Sequence, residues 1–126
     1  MTTIGQTVMA GDGTGTTYYS PWFPRGGNQG NFVCDLIATN KMSSFNIQVQ
    51  TKNSEDSDKD RVNVGSPATI TLTKGEQTEF KRGAVLSDTA NIGFKELVRF
   101  EYVLVAETSS VGTVHFRMQN VSWLSN

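Results

Sequence analysis

Apolar and polar residues alternate along most of the chain from Asn31 onward, with a period of two rather than the 3.6 of a helix. Residues 45–50, FNIQVQ, show this best, because Phe45, Ile47 and Val49 share one face and the other face is polar. Such alternation is typical of an antiparallel strand with one buried face. The same pattern predicts strands at residues 32–38, 68–73, 97–106 and 113–119.

The longest predicted strand, residues 97–106, is apolar on both faces. Its second face carries Leu97, Val103 and Val105 at its ends and charged residues in its middle. We therefore expect these three residues to be covered by another element or by another chain. The first face joins the predicted core, which comprises Phe45, Ile47, Val49, Ile70, Leu72, Val98, Phe100, Tyr102, Leu104, Val114 and Phe116.

The pattern predicts an all-β fold and no long helix, since Gly93 interrupts the best helical candidate, residues 87–97, after about one turn. About eight predicted strands are separated by clusters of Gly, Pro, Asn and Ser. This spacing predicts a single antiparallel β-sandwich, jelly-roll-like, over residues 18–126. The length of 126 residues suits one domain.

Residues 1–17 are predicted to form a flexible, Gly-rich N-terminal arm. They contain four glycines and only isolated apolar residues. Such a composition buries too little surface to offset the backbone entropy of ordering, roughly 1–2 kcal/mol per residue. The arm is either ordered by a partner or a frayed terminus without a role.

The segment SPWFPRGG, residues 20–27, places two aromatic residues on a stiff stretch of backbone. Pro21 and Pro24 fix their own φ and favour extended neighbours. Large aromatics and Arg are enriched at interaction hot spots, so we predict an interface. The alternative is that Trp22 and Phe23 close one end of the sandwich and Arg25 pairs locally. The predicted interface residues are Tyr18, Tyr19, Trp22, Phe23, Arg25, Leu97, Val103 and Val105.

The amino-acid composition argues against several classes of function. Eleven basic and 12 acidic residues give a net charge of −1, which does not favour nucleic-acid binding. One Cys and one His leave no internal disulfide and no Cys/His zinc site. No apolar run has the roughly 20 residues of a membrane span. We therefore predict a protein that is not an enzyme, has no cofactor and binds neither nucleic acid nor membrane.

An acidic run, residues 54–60, contains Asp56, Asp58 and Asp60 at alternate positions, as at the start of an EF-hand calcium loop. Arg61 stands where that loop needs Gly, and Pro67 where it needs the bidentate Glu. We predict a solvated hairpin loop without a specific role. A weak surface calcium site is the alternative.

A Gly-rich arm, a compact all-β domain, few charges (18% of residues) and no catalytic constellation together resemble the small virion proteins of tailed phages, of the decoration or cement type. The resemblance covers the general plan of the chain. It implies a structural, assembly role through subunit–subunit contacts with itself or other virion subunits, as a homo-oligomer. It also implies localisation in a virion assembled in the host cytoplasm.

A second hypothesis is a carbohydrate-binding module. Sandwich folds use exposed aromatic rings as platforms on which sugars stack. The candidate rings are Tyr18, Tyr19, Trp22, Phe23 and Trp123.

Overall fold

The computed structural model describes residues 6–83 and 93–124, and nearly all of their regular structure is β-strand. A single 3-10 turn, Asp58–Asp60, is the exception within these two ranges. Of the predicted helical turn at residues 87–97, positions 87–92 lie outside the described residues, and positions 93–96 are not helical. The strands are β1 (Gln6–Asp12), β2 (Thr16–Tyr19), β3 (Phe23–Pro24), β4 (Gln29–Asn40), β5 (Met42–Lys52), β6 (Val62–Asn63), β7 (Ala68–Thr69), β8 (Gln77–Gly83), β9 (Leu97–Ala106), β10 (Val111–Met118) and β11 (Ser122–Leu124).

The strands form two antiparallel sheets. Sheet A has the order β1-β10-β4-β8, with the short β11 beside β4 on the same side as β10. Sheet B has the order β2-β9-β5-β6, with β3 continuing the β2 edge along β9 and β7 continuing the β6 edge along β5. The chain crosses from one sheet to the other between β1 and β2, β3 and β4, β4 and β5, β7 and β8, β8 and β9, and β9 and β10. This order is that of a jelly roll, and it confirms the predicted antiparallel sandwich.

The core lies between the sheets and is rich in aromatic side chains. Phe45 and Tyr102 of sheet B contact Phe116 of sheet A, with ring centroids 4.9 and 5.3 Å apart. Phe32 of sheet A meets Phe100 of sheet B edge to face at 5.3 Å. Every predicted core residue is buried except Leu72, which is partly buried against the cluster. The alternation of period two therefore placed the inward faces correctly.

The predicted boundary between arm and domain is wrong for residues 6–17. β1 pairs with β10 over its whole length, and β2 pairs with β9. The turn between them is closed by the Asp12 carboxylate, which accepts hydrogen bonds from the backbone N–H groups of Thr14 and Gly15 at 3.0 and 3.1 Å. Composition misled because strand pairing satisfies the backbone without large side chains. Residues 1–5 lie outside the described residues.

Candidate functional site

The outer face of sheet B carries a group of polar and aromatic side chains. Alternation along β9 puts Arg99 and Glu101 on this face, and the register places Gln50 of β5 opposite Arg99. Tyr19 of β2 lies opposite Glu101. We name Tyr19, Trp22, Lys52, Asp58 and Arg99 the arginine cluster.

Arg99 is the centre of the arginine cluster and is only 6% exposed. Its guanidinium carbon lies 4.1 Å from the ring centroid of Tyr19 and 4.5 Å from that of Trp22. Its Nε donates to Gln50 Oε1 at 2.9 Å, and its Nη1 lies 3.5 Å from Asp58 Oδ2. Stacking and ion pairing together offset the cost of removing the Arg99 guanidinium from bulk water.

Asp58 connects the acidic loop to the arginine cluster. It accepts a hydrogen bond from Trp22 Nε1 at 3.1 Å. It also forms an ion pair with Lys52, whose Nζ lies 3.0 Å away. Lys52 also lies 5.0 Å from the Trp22 ring centroid. The hydrogen bond from Lys52 lowers the pKa of Asp58 below its ordinary value of 3.8, and Trp22 and Arg99 add to the effect.

The prediction that the acidic loop has no specific role is therefore wrong for Asp58. The loop is a hairpin between β5 and β6, as expected, but its 3-10 turn carries Asp58 back over the sheet. Asp56 and Asp60 make local contacts, with the Asn53 N–H and with the Ser57 hydroxyl. Within the described part of the chain, no group of three or more His, Cys, Asp or Glu residues is arranged to hold a metal ion.

Trp22 and its neighbour Phe23 lie in different environments, because Trp22 contacts Arg99 and Phe23 is buried in the core. Phe23 is 8% exposed, and its ring centroid lies 5.6 Å from that of Phe100. Its predicted role as an interface anchor is wrong, because β3 pairs with β9 and turns this side chain inward. The guanidinium of Arg25 donates to Phe94 O at 2.8 Å and to Asn28 Oδ1 at 3.3 Å, so its polar contacts are internal. This is the alternative in which the segment closes its own domain.

The other predicted interface residues lie on or beside sheet B. Tyr19 is 47% exposed and Tyr18 is 37% exposed, although the Tyr18 hydroxyl donates to Ala10 O at 2.7 Å. Leu97, Val103 and Val105 are half-buried on the outer face of β9. Leu97 sits between Pro24 and Lys52 in the register, and Val103 sits between Thr17 and Asn46. The chain itself therefore supplies part of the expected cover.

The aromatic rings proposed for sugar stacking are mostly engaged within the domain. Trp22 and Tyr19 contact the Arg99 guanidinium, and Phe23 is buried. Trp123 is partly buried and meets Phe94 edge to face at 5.2 Å. The structure does not gather the five rings into one exposed platform.

A second surface feature is the free edge of sheet A at β1. Among the described residues β1 pairs only with β10. Ala10 O accepts the Tyr18 hydroxyl, and the Asp12 N–H donates to Thr16 Oγ1 at 3.3 Å, so both groups point away from β10. Because backbone groups alternate in direction along a strand, those of Gln6 and Val8 point away from β10 as well.

The two long edges of sheet A differ in their side chains. Residues 6–11 of β1 contain no charged residue and no proline, and Val8 is 65% exposed. At the opposite edge, β8 carries Glu79, Lys81 and Arg82. Charged residues at an edge discourage pairing with another chain, and β1 lacks this protection.

The remaining chemical candidates are structural. Cys34 is fully buried, and burial raises the pKa of its thiol to about 12, so it behaves as a small apolar residue. His115 Nε2 lies 3.2 Å from Gln6 Oε1 on the outer face of sheet A. Asp35 accepts two hydrogen bonds from Arg117 and two from Gln119. Over residues 6–83 and 93–124, no helix has the length and hydropathy to cross a membrane.

No protein-family model matches the chain, and no curated protein sequence matches it significantly.

Sequence reasoning missed the polar members of the arginine cluster. The sequence pattern assigns Asp58 to a solvated loop and Arg99 to the charged middle of a strand face, and it does not single out Lys52. The available signal was the pair of charged residues, Arg99 and Glu101, in the middle of a strand with two apolar faces. Charges in such a strand need compensating partners nearby.

Proposed function

We propose that this chain is a structural, self-assembling protein, and that it serves as a decoration, cement or coat-associated component of a phage-like virion. The observation that carries the proposal is the outer edge of β1, where no strand among the described residues pairs with the outward backbone groups of Gln6 and Val8. Residues 6–11 of this edge strand carry no charge, and such an edge presents backbone N–H and C=O groups that a strand of another subunit pairs with.

The fold is compatible with this role but does not select it. Jelly rolls occur in viral capsid domains, in lectins and in cupins, so the fold is an argument by analogy. The choice between these roles rests on the surfaces. The edge of β1 favours assembly. Of the rings proposed for sugar stacking, Tyr19 and Trp22 contact Arg99 and Phe23 is buried.

The geometry of β1 suits pairing with a second copy of itself. Two β1 strands related by a twofold axis would run antiparallel and continue sheet A across the interface. The outward backbone groups of Gln6 and Val8 would form the new hydrogen bonds. The exposed Val8 side chains would lie close together on the shared sheet face.

A lysine at Val8 tests the proposal. Val8→Lys places a charge on the free edge without removing a hydrogen bond to β10, so we expect a folded protein that assembles less. Val111→Lys is the matched control, because Val111 is 69% exposed at the start of β10, an internal strand. Sedimentation velocity across a range of concentrations measures the mass distribution of each variant.

The expected result is a concentration-dependent oligomer for the unmodified chain and for Val111→Lys, with a shift toward the monomer of 13.8 kDa for Val8→Lys. A monomer at every concentration in all three, or equal assembly by all three, contradicts assembly through β1. Peptide mass spectrometry of purified virus particles from the source culture tests the virion location separately.

A further inference from the structure

A polar cleft lies on the outer face of sheet B, next to the arginine cluster. It has a volume of about 320 Å³ and is lined by Gln50, Lys59, Arg61, Asn63 and Glu101. This volume is at the lower end of small-molecule sites. The lining residues come from three adjacent strands and from the acidic loop, so the cleft is a product of the fold rather than of one loop.

The floor of the cleft is a fixed amide. Gln50 accepts from Arg99 Nε through Oε1, and its Nε2 donates to Asn63 Oδ1 at 3.2 Å. The same Nε2 lies 3.5 Å from Glu101 Oε2. Gln50 is 3% exposed, so this network orients Asn63 and Glu101 on either side of β5.

The donors on the β6 side of the cleft are not fully used within the chain. Arg61 Nε is buried and has no hydrogen-bond partner, although Nη1 of the same side chain donates to Asp58 O at 3.1 Å. Lys59 has no hydrogen-bond or ion-pair partner among the described residues. Arg61 and Lys59 therefore place two cationic side chains with unused donor capacity beside the cleft, which favours an anionic ligand there.

We infer that this cleft binds an acidic sugar, a hexuronic acid residue, with its carboxylate against Arg61 and Lys59 and its hydroxyl groups toward Glu101 and Asn63. A carboxylate satisfies the cationic side, and ring hydroxyls satisfy an acceptor and an amide on the other side. Glu101 disfavours a phosphate or a nucleic-acid backbone, because it would lie beside their negative charges. The inference goes beyond the proposed assembly role and uses a different surface from β1.

The experiment is an NMR titration of the full chain with methyl glucuronide, with methyl glucoside, sodium acetate and inorganic phosphate as separate probes. We expect saturable shifts with glucuronide that centre on the backbone amides of Arg61, Asn63 and Glu101. We expect the neutral glucoside and acetate to bind at least about tenfold more weakly, because each lacks half of the matched groups.

Two variants and one control variant test whether the ligand binds in this cleft. Arg61→Gln and Lys59→Gln should each weaken glucuronide binding, Arg61→Gln by about tenfold, while the exposed Lys74→Gln should not. A one-dimensional spectrum with dispersed amide signals shows that each variant is folded. Higher salt should weaken binding of the glucuronide, because part of the contact is ionic.

Three results overturn the inference. Equal affinity for acetate or phosphate would show a site for small anions only. Tighter binding of a short acidic peptide than of glucuronide would show that the cleft receives a protein carboxylate. Absence of shifts at these amides up to the solubility of the glucuronide would show that the cleft takes no such ligand.

Discussion

Arg99 shows how a charged side chain is kept on the outer face of a sheet with little contact to water. A guanidinium is planar and weakly hydrated, so it stacks on the rings of Tyr19 and Trp22 at little desolvation cost. Burial lowers the pKa of Arg99, and the nearby Asp58 opposes that shift. The consequence is a surface patch in which Trp22 contacts Arg99, Lys52 and Asp58 of its own domain.

The first prediction concerns Asp58. Asp58→Asn removes the ion-pair partner of both Lys52 and Arg99. It should therefore lower the melting temperature and increase the mobility of Trp22. Glu55→Gln removes a charge from the same loop at an exposed position and is the control. Thermal unfolding monitored by tryptophan fluorescence distinguishes them. Equal melting temperatures for the two variants would mean that the ion pairs contribute nothing.

The second prediction concerns acid stability and Asp35. Burial raises the pKa of this carboxyl, but hydrogen bonds from Gln119 and Arg117 outweigh burial, and the pKa lies below the ordinary 3.8. A lowered pKa in the folded state means that the stabilisation is present above the pKa of the unfolded chain, about 3.9. It is lost as the pH falls through the lower, folded value.

Melting temperatures between about pH 5 and about pH 2 test this linkage. The unmodified chain should lose stability more steeply than Asp35→Asn over that range, so the two curves should converge in acid. Parallel curves would show that Asp35 is not a source of the pH dependence.

At the level of single residues, the sequence predicted which side chains face inward but not which polar groups meet. Phe45, Phe100 and Phe116 were placed correctly because alternation is a local property of a strand. The contact of Trp22 with Asp58 joins residues 36 positions apart and depends on which loop crosses the sheet. The prolines around Trp22 and Phe23 indicated a stiff segment, but stiffness does not determine which ring turns inward.

At the level of elements, the two N-terminal strands β1 and β2, which join different sheets, change the account of the molecule most. β1 forms one edge of sheet A, and β2 forms part of one edge of sheet B. Gly15 completes the turn between them with a φ of 106°, which other residues rarely adopt. The added Cβ of a substituted Gly11 would lie 3.0 Å from the Leu104 side chain, so β1 also packs closely on sheet B.

The third prediction follows from this packing. A chain that begins at Ser20 lacks both β1 and β2. β10 then becomes an unpaired edge, and on that side β9 pairs only with the short β3. We expect it to be unstable or aggregated, because pairing and burial along two strands are lost. Circular dichroism and soluble yield measure this. A truncated chain that melts like the full chain would restore the flexible arm predicted from composition.

The glycine content explains why these two strands were not predicted. Isolated glycines in residues 1–17 interrupt the apolar alternation, so no strand signal is visible there. In the structure, Gly11 is buried where β1 approaches Leu104, and Gly15 is at the turn, so both glycines serve the strands. A low-complexity composition therefore concealed two edge strands that depend on close backbone contact.

At the level of the whole molecule, the sandwich was predictable and its strand order was not. Every strand signal is local, whereas the order β1-β10-β4-β8 joins segments that are far apart in sequence. The same limit applies to the candidate site, because the cleft and the free edge exist only once the strands are ordered. The proposal of assembly through β1 is thus a statement about the folded molecule.

Hydrogen exchange at the Val8 backbone amide tests that proposal most directly. The N–H of Val8 points away from β10, whereas alternation directs that of Met9 toward it, so the two neighbours form an internal comparison. If β1 joins subunits, Val8 should exchange quickly in dilute protein and become protected at high concentration, while Met9 stays protected in both. Equally fast exchange of Val8 at both concentrations, in a protein that has assembled, would contradict pairing through β1.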